Sequence, residues 1–193
     1  RQMWQGGGKG HQNVIMVTLG TGVGGGIIVD GKIIAGSHGA GGELGHIHMN
    51  DDETDTCGCG NKGCLEQYAS ATGIVRMAKK KLATETRATK LTTFHALTAK
   101  DIFDVAKEND EVALELVDVL CTMLGTALAN VAAVADPEIF VIGGGVSRAG
   151  DILIQGIQKK FEEKAFHACR GTGISLATLG NDAGMYGCVR LLF

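Results

Sequence analysis

Three cysteines, Cys57, Cys59 and Cys64, fall close together, and His46 precedes the first of them in the pattern His-x10-Cys-x-Cys-x4-Cys. Glycines at 58, 60 and 63 interrupt this stretch and let the backbone turn tightly enough to gather four donors. One imidazole and three thiolates are the soft tetrahedral set of a structural zinc site, with no position left for a catalytic water. Free thiols or a disulfide are the plainer reading, but Cys57 and Cys59 stand too near in sequence for an unstrained bridge. His48 competes with His46 for the fourth position, and spacing does not separate them. His11 and His38 have no comparable partners nearby and read as surface or loop histidines.

Two glycine-rich runs carry the other chemistry. Leu19-Gly20-Thr21-Gly22-Val23-Gly24-Gly25-Gly26 lies between two apolar segments. Backbone N–H groups and a threonine hydroxyl there suit phosphate oxygens, and a tight hairpin without a ligand accounts for the same residues. The Gly-Lys-Ser/Thr ending of a Walker loop is absent, and a strand rather than a helix follows, which argues against a dinucleotide fingerprint. Ile142-Gly143-Gly144-Gly145-Val146-Ser147 follows a strand and precedes a helix, where bare backbone lets an adenine or ribose lie close. An ordinary strand-to-helix turn explains it as well. Taken by themselves, Glu43 is a loop carboxylate and Glu66 a helix-start carboxylate favoured by the helix dipole.

The elements that must place these groups alternate. Val14–Leu19 and Gly24–Val29 read as strands, and Asp30-Gly31 as a hairpin turn into Lys32-Ile33-Ile34. Residues 37–63 lack periodicity and need a bound metal or its equivalent to order them. A helix is predicted over 65–80, another from the capping-box pattern at Thr98, and a long one from Asp110. In that long helix Val112, Leu116, Leu120, Leu124, Leu128 and Val131 form a buried stripe. Asp136-Pro137 ends it, a strand covers 138–142, a helix covers 151–166, a strand covers 174–179, and a last helix starts at Asn181. An antiparallel opening followed by alternation implies a mixed sheet with helices on its faces.

Composition narrows the class. With 193 residues, 45% hydrophobic, the chain can bury one substantial core. A net charge of −3, with both signs mixed along the chain, leaves no electrostatic footprint for nucleic acid or an anionic membrane. Lys79-Lys80-Lys81 reads as a solvated helix end. Gly, Asp or Lys interrupts every apolar run before the roughly 20 residues of a membrane-spanning helix, so none is expected. Clustered cysteines, with Cys121, Cys169 and Cys188 in apolar settings, fit a metal and buried thiols in a reducing compartment. The start at Arg1, without a leader-like segment, suggests part of a longer protein.

In order, Leu19–Gly26, Gly41-Gly42-Glu43-Leu44-Gly45-His46 and the run from Cys57 to Glu66 resemble the ROK family of sugar kinases and repressors. Gln67–Ile74, Asp136–Gly145 and Gly180–Gly184 extend the likeness over nearly the whole chain, and Ala69-Ser70-Ala71-Thr72-Gly73 resembles its glucokinase branch. The resemblance implies an α/β, actin-like ATPase or ribonuclease-H-like fold with a zinc-binding loop, residues 1–193 being the carboxy-terminal domain of a two-domain kinase. It implies that Thr21, Gly22 and Gly24 face the phosphates of Mg-ATP, and that Gly144, Gly145 and Asn181 line the nucleoside pocket. Glu43 and Glu66 would bind the sugar, while His46 would ligate zinc together with Cys57, Cys59 and Cys64 and also touch the sugar.

The implied protein is a cytoplasmic, dimeric or tetrameric enzyme that phosphorylates a hexose, glucose foremost. A sugar-sensing repressor of the same family is the alternative. The family's amino-terminal domain supplies an Asp-Gly-Gly-Thr-type motif and an Asn-Asp pair whose aspartate is the general base. Arg1–Gly10 resembles the segment just after that pair. No catalytic residue is therefore expected in this chain, and the 193 residues alone are expected to be inactive.

Overall fold

The structure is a computed structural model and describes residues 6–178. Asn181, the helix expected from it, and Cys188 lie outside the described residues.

Strands β1 (Val14–Leu19), β2 (Val23–Val29) and β3 (Lys32–Ile33) form an antiparallel meander. The β2–β3 turn is Asp30-Gly31, both with positive φ of 49° and 71°, the geometry that matches strand twist in a two-residue hairpin. Strand β4 (Ile139–Gly143) lies parallel to β1, and β5 (Gly173–Leu176) parallel to β4, giving the order β3-β2-β1-β4-β5. Every residue of β4 is buried, as its unbroken Ile-Phe-Val-Ile run requires of a strand covered on both faces. The sheet is mixed, as the alternation of elements predicts.

Five helices complete the fold of the described residues: α1 (Glu66–Ala69), α2 (Ala71–Leu82), α3 (Ala99–Lys107), α4 (Glu111–Ala135) and α5 (Asp151–Lys164). The single helix expected over 65–80 is broken at Ser70, whose backbone is extended (φ −93°, ψ 168°). Its hydroxyl accepts from Gly73 N at 2.9 Å and donates to Glu66 O at 2.6 Å, so one serine closes α1 and caps α2. Thr98 and Asp101 form the reciprocal capping box at α3, and Asp110 caps α4 by accepting from Ala113 N at 3.0 Å. Asp136 ends α4 in the left-handed conformation immediately before Pro137.

The stripe on α4 is buried from Val112 to Leu128, with Val131 half-buried, and it packs against α3 and α5. Contrary to the expectation that every apolar run is too short, α4 is long and apolar enough to cross a membrane by length and composition. After Asp118 no charge interrupts it, because Gly125 does not break the helix. Burial accounts for that apolarity: 61% of its apolar window lies inside the fold. Phe140 of β4 meets Phe161 of α5 edge to face at 5.8 Å, joining sheet and helix layer. Burying side chains of this size stabilises by about 1.5–3 kcal/mol each.

Because β1 and β4 run parallel in register, both end on the same edge of the sheet, and both glycine runs start there. Gly144 has φ +88°, and a Cβ on it would stand 2.4 Å from Leu19 O, so the second turn lies directly on the root of the first. Ligands of α/β sheets bind outside the carboxyl ends of parallel strands, which is this edge.

Candidate functional site

A short helical turn, Leu44–His46, packs on β2 and delivers His46. The chain then pairs back on itself through isolated bridges, His48 with Cys64 and Thr56 with Lys62. Between them Cys57 N donates to Asn61 O at 2.7 Å and Gly60 N to Cys57 O at 2.9 Å, a tight knuckle that presents Cys57 and Cys59 toward Cys64. The ligand atoms of His46, Cys57, Cys59 and Cys64 all lie within 4.8 Å of one another. Cys59 Sγ is 3.6 Å from Cys64 Sγ, and Cys57 Sγ is 3.9 Å from His46 Nδ1. Zinc bonds of about 2.0–2.3 Å place tetrahedral ligands roughly 3.3–3.8 Å apart, so these donors fit the ion in number and kind, with the Cys59–Cys64 pair inside that spacing and the Cys57–His46 pair just outside it.

His48 is engaged elsewhere. Its Nδ1 faces Lys62 O at 3.0 Å and its Nε2 faces Asp51 Oδ1 at 2.8 Å, the Asp51 hydrogen bond raising its pKa. His46 is thus the histidine that joins the cysteines. The three thiols differ in acidity. Burial pushes Cys57 up to about 12 and raises Cys64, whereas the Asn61 backbone holds the exposed Cys59 below its ordinary value.

Glu66 opens α1 beside this cluster. The Cys57 thiol donates to Glu66 Oε1 at 3.0 Å, and the Val23 amide donates to Oε2 at 3.4 Å. A Cβ on Gly22 would lie 2.6 Å from Oε2, so the glycine turn touches this carboxylate because it has no side chain. Thr21, Gly22, Cys57, Gly58 and Glu66 together line an open groove of 550 Å³. The turn itself is held from behind: Ala71 N donates to Gly20 O at 2.8 Å, and Gly20 N donates to Gly22 O at 2.9 Å.

Sequence reasoning missed the brace beneath the cysteine loop. Arg76 of α2 donates to Asp55, to Glu53 Oε2 at 2.7 Å and to Gln67 O at 3.0 Å, and its guanidinium stands 5.6 Å from the centre of the Tyr68 ring. Tyr68 OH also donates to Glu53, at 2.7 Å. The Arg76 guanidinium holds the Glu53 carboxyl well below the usual range. Burial opposes the charge on Arg76, yet hydrogen bonds to Glu53 and Asp55 outweigh it and raise its pKa. These partners are more than twenty residues apart and obey no local period, so no sequence signal joins them.

A family model described as the ROK family matches residues 2–192. The chain belongs to the ROK family. It is 46% identical to a glucokinase of Halalkalibacterium halodurans, over 96% of this chain and 58% of that protein. It superposes with a TM-score of 0.86 on the structure of a ROK family glucokinase from Streptomyces griseus in complex with glucose and AMPPNP, at 38% identity, covering 98% of this chain and 63% of that one. A xylose repressor of Caldicellulosiruptor bescii is more distant, 30% identical over 93% of this chain and 46% of its own length. This chain therefore spans about three-fifths of the glucokinases it matches.

Within this ROK chain the expected site residues separate into groups. His46, Cys57, Cys59, Cys64 and Glu66 come together, with Thr21 and Gly22 against them. Glu43 is exposed at the entry to the turn that carries His46, and its carboxylate has no partner among the described residues. Gly24 lies inside β2 opposite Thr18, beyond the turn rather than in it. Gly145 lines a second, more enclosed cavity of 370 Å³ with Thr98, Ala99, Phe103, Val146 and Ala149. The α3 wall of that cavity was not foreseen, because it comes from a capping segment far from the glycines in sequence.

Proposed function

We propose that this chain is the carboxy-terminal, sugar- and metal-binding domain of an ATP-dependent hexose kinase whose foremost substrate is glucose, phosphorylated at its 6-hydroxyl. One observation carries the reading. Glu66 contacts the metal loop through one oxygen and the glycine turn through the other, so a sugar-binding carboxylate and a phosphate-facing backbone share a single groove. The 46% identity to a glucokinase and the fold shared with a glucose and AMPPNP complex support the same assignment.

Zinc, when bound by His46, Cys57, Cys59 and Cys64, supplies a structural cross-link for a loop that has no core of its own. His46 Nδ1 is the ring nitrogen facing Cys57, which leaves Nε2 to carry the proton and donate it to a sugar hydroxyl. Glu66, and Glu43 once it is engaged, accept from neighbouring hydroxyls in charge-assisted hydrogen bonds that reject analogues lacking them. Backbone amides at Thr21 and Gly22 receive the transferring phosphate oxygens, and the cavity at Gly145 receives the nucleoside. The base that takes the proton from the attacking hydroxyl belongs to the amino-terminal domain, so transfer requires closure of both halves.

An intact turn at Gly20–Gly22, braced by α2, favours the kinase over a sugar-sensing repressor, which has no use for a phosphate contact. A cytoplasmic homo-oligomer is the corresponding expectation for the whole protein. The test is a coupled assay of the full-length protein with Mg-ATP and a panel of glucose, mannose, fructose and N-acetylmannosamine. Turnover is expected with glucose and none from the 193-residue chain alone. Binding of glucose without binding of ATP by the full-length protein would rule the kinase out.

A further inference from the structure

Thr72 and Arg76 stand four residues apart on α2, so their side chains share one face of the helix. The Thr72 hydroxyl donates to Thr21 O, gripping the phosphate-facing turn. One helical turn further, Arg76 grips the strap that leads into Cys57, through Asp55 and through Glu53 Oε2 at 2.7 Å. Gln67 ties the same strap from α1, its Nε2 donating to Asp55 O at 2.9 Å and its Oε1 accepting from Cys64 N at 3.0 Å. Both α2 residues line the groove that contains Glu66. One rigid face therefore holds the turn that meets phosphate and the loop that carries the imidazole and thiols.

We propose that Thr72 and Arg76 are positioning residues that set the separation of the phosphate-facing turn from the metal loop, and with it the distance between the sugar hydroxyl and the transferring phosphate. The proposal rests on the kinase reading above. Neither residue needs to touch a substrate. Transfer in line is sensitive to placement, and a misplacement of about 1 Å costs on the order of 10²-fold in rate. Arginine suits the task because its planar fork is pre-organised, and the Glu53 side chain it meets is 7% exposed, so loss of the partner strands a nearly buried carboxylate.

The test uses the full-length protein, steady-state kinetics for ATP and glucose, and metal analysis of each variant. Thr72→Val is expected to lower kcat by about tenfold or more while both KM values stay within about twofold and metal content is unchanged. Thr72→Ser, which keeps the hydroxyl, is expected to restore kcat. Arg76→Gln is expected to lower kcat likewise, and the double variant to lose less than the product of the two single losses, since both act on one separation. Arg87→Met removes an arginine paired with Glu85 and Glu115 outside the groove; it is expected to lower the melting temperature and leave kcat alone. If Arg76→Gln does not fold, the Thr72 pair decides. Wild-type kcat in Thr72→Val, a loss confined to KM, or equal impairment of Thr72→Ser and Thr72→Val would overturn the proposal while the kinase reading stands. A wild-type protein that phosphorylates no hexose would bring down both.

Discussion

Cys57 Sγ stands 3.0 Å from Glu66 Oε1, a contact that is a hydrogen bond while Cys57 keeps its proton, so the carboxylate proposed for the sugar lies directly against the cysteine loop. Glu66→Gln keeps the shape and removes the charge. Sugar affinity of the full-length protein, measured by calorimetry, is expected to fall about 10- to 100-fold, the worth of a hydrogen bond to a charged group. Metal content should not change, and its loss would mean that Glu66 serves the loop rather than the sugar.

Metal analysis of the purified protein is expected to find one zinc per chain. Cys64→Ser removes a buried donor 3.6 Å from Cys59 and should abolish binding. Chelation should speed amide exchange across residues 50–63 and leave α4 protected, because that stretch contributes no side chain to the main apolar core. Unchanged exchange after chelation would exclude a structural role for the metal.

Gly144 and Gly145 are adjacent yet predict opposite outcomes. A Cβ at Gly144 faces Leu19 O at 2.4 Å from a backbone with φ +88°, whereas one at Gly145 meets nothing within 4 Å. Gly144→Ala is expected to destabilise by about 1–3 kcal/mol and raise KM for ATP, and Gly145→Ala to stay within about 0.5 kcal/mol of wild type. Denaturant midpoints with unchanged slope decide this.

The Arg87 guanidinium holds the Glu85 carboxyl down at about 2. A folded value below the unfolded one, roughly 4.3, means a contribution fully present above that value and lost as pH falls toward the folded one. The melting-temperature gap between wild type and Glu85→Gln, measured with chelator throughout, is expected to stay constant from neutral pH to about pH 5.5 and to close between about 4.3 and 2. A gap that persists at the acid end would show that the pair does not act through ionisation.

Local rules made much of this fold readable. The capping box at Thr98, the long helix starting at Asp110, the stripe on α4 as far as Leu128 and the Asp30-Gly31 hairpin each depend on neighbours within a few residues, and each occurs as predicted. The cysteine spacing likewise announces its cluster. Choosing His46 over His48 required seeing that Lys62 and Asp51 occupy the second ring. Ser70 interrupts a continuous helical pattern because its hydroxyl finds two backbone partners, a competition that periodicity does not register. The Arg76 brace and the cavity wall at Ala99 and Phe103 are long-range meetings, and only tertiary packing brings them about.

The sheet edge also divides its labour. On the proposed reading, phosphate would meet main chain at Thr21 and Gly22 there, whereas sugar would meet a set of side chains, His46 and Glu66 among them. Main chain offers mutation little to alter, and side chains offer a great deal. A lineage built on this plan can therefore change its diet by exchanging a few residues on one flank, while the donor it spends stays the same.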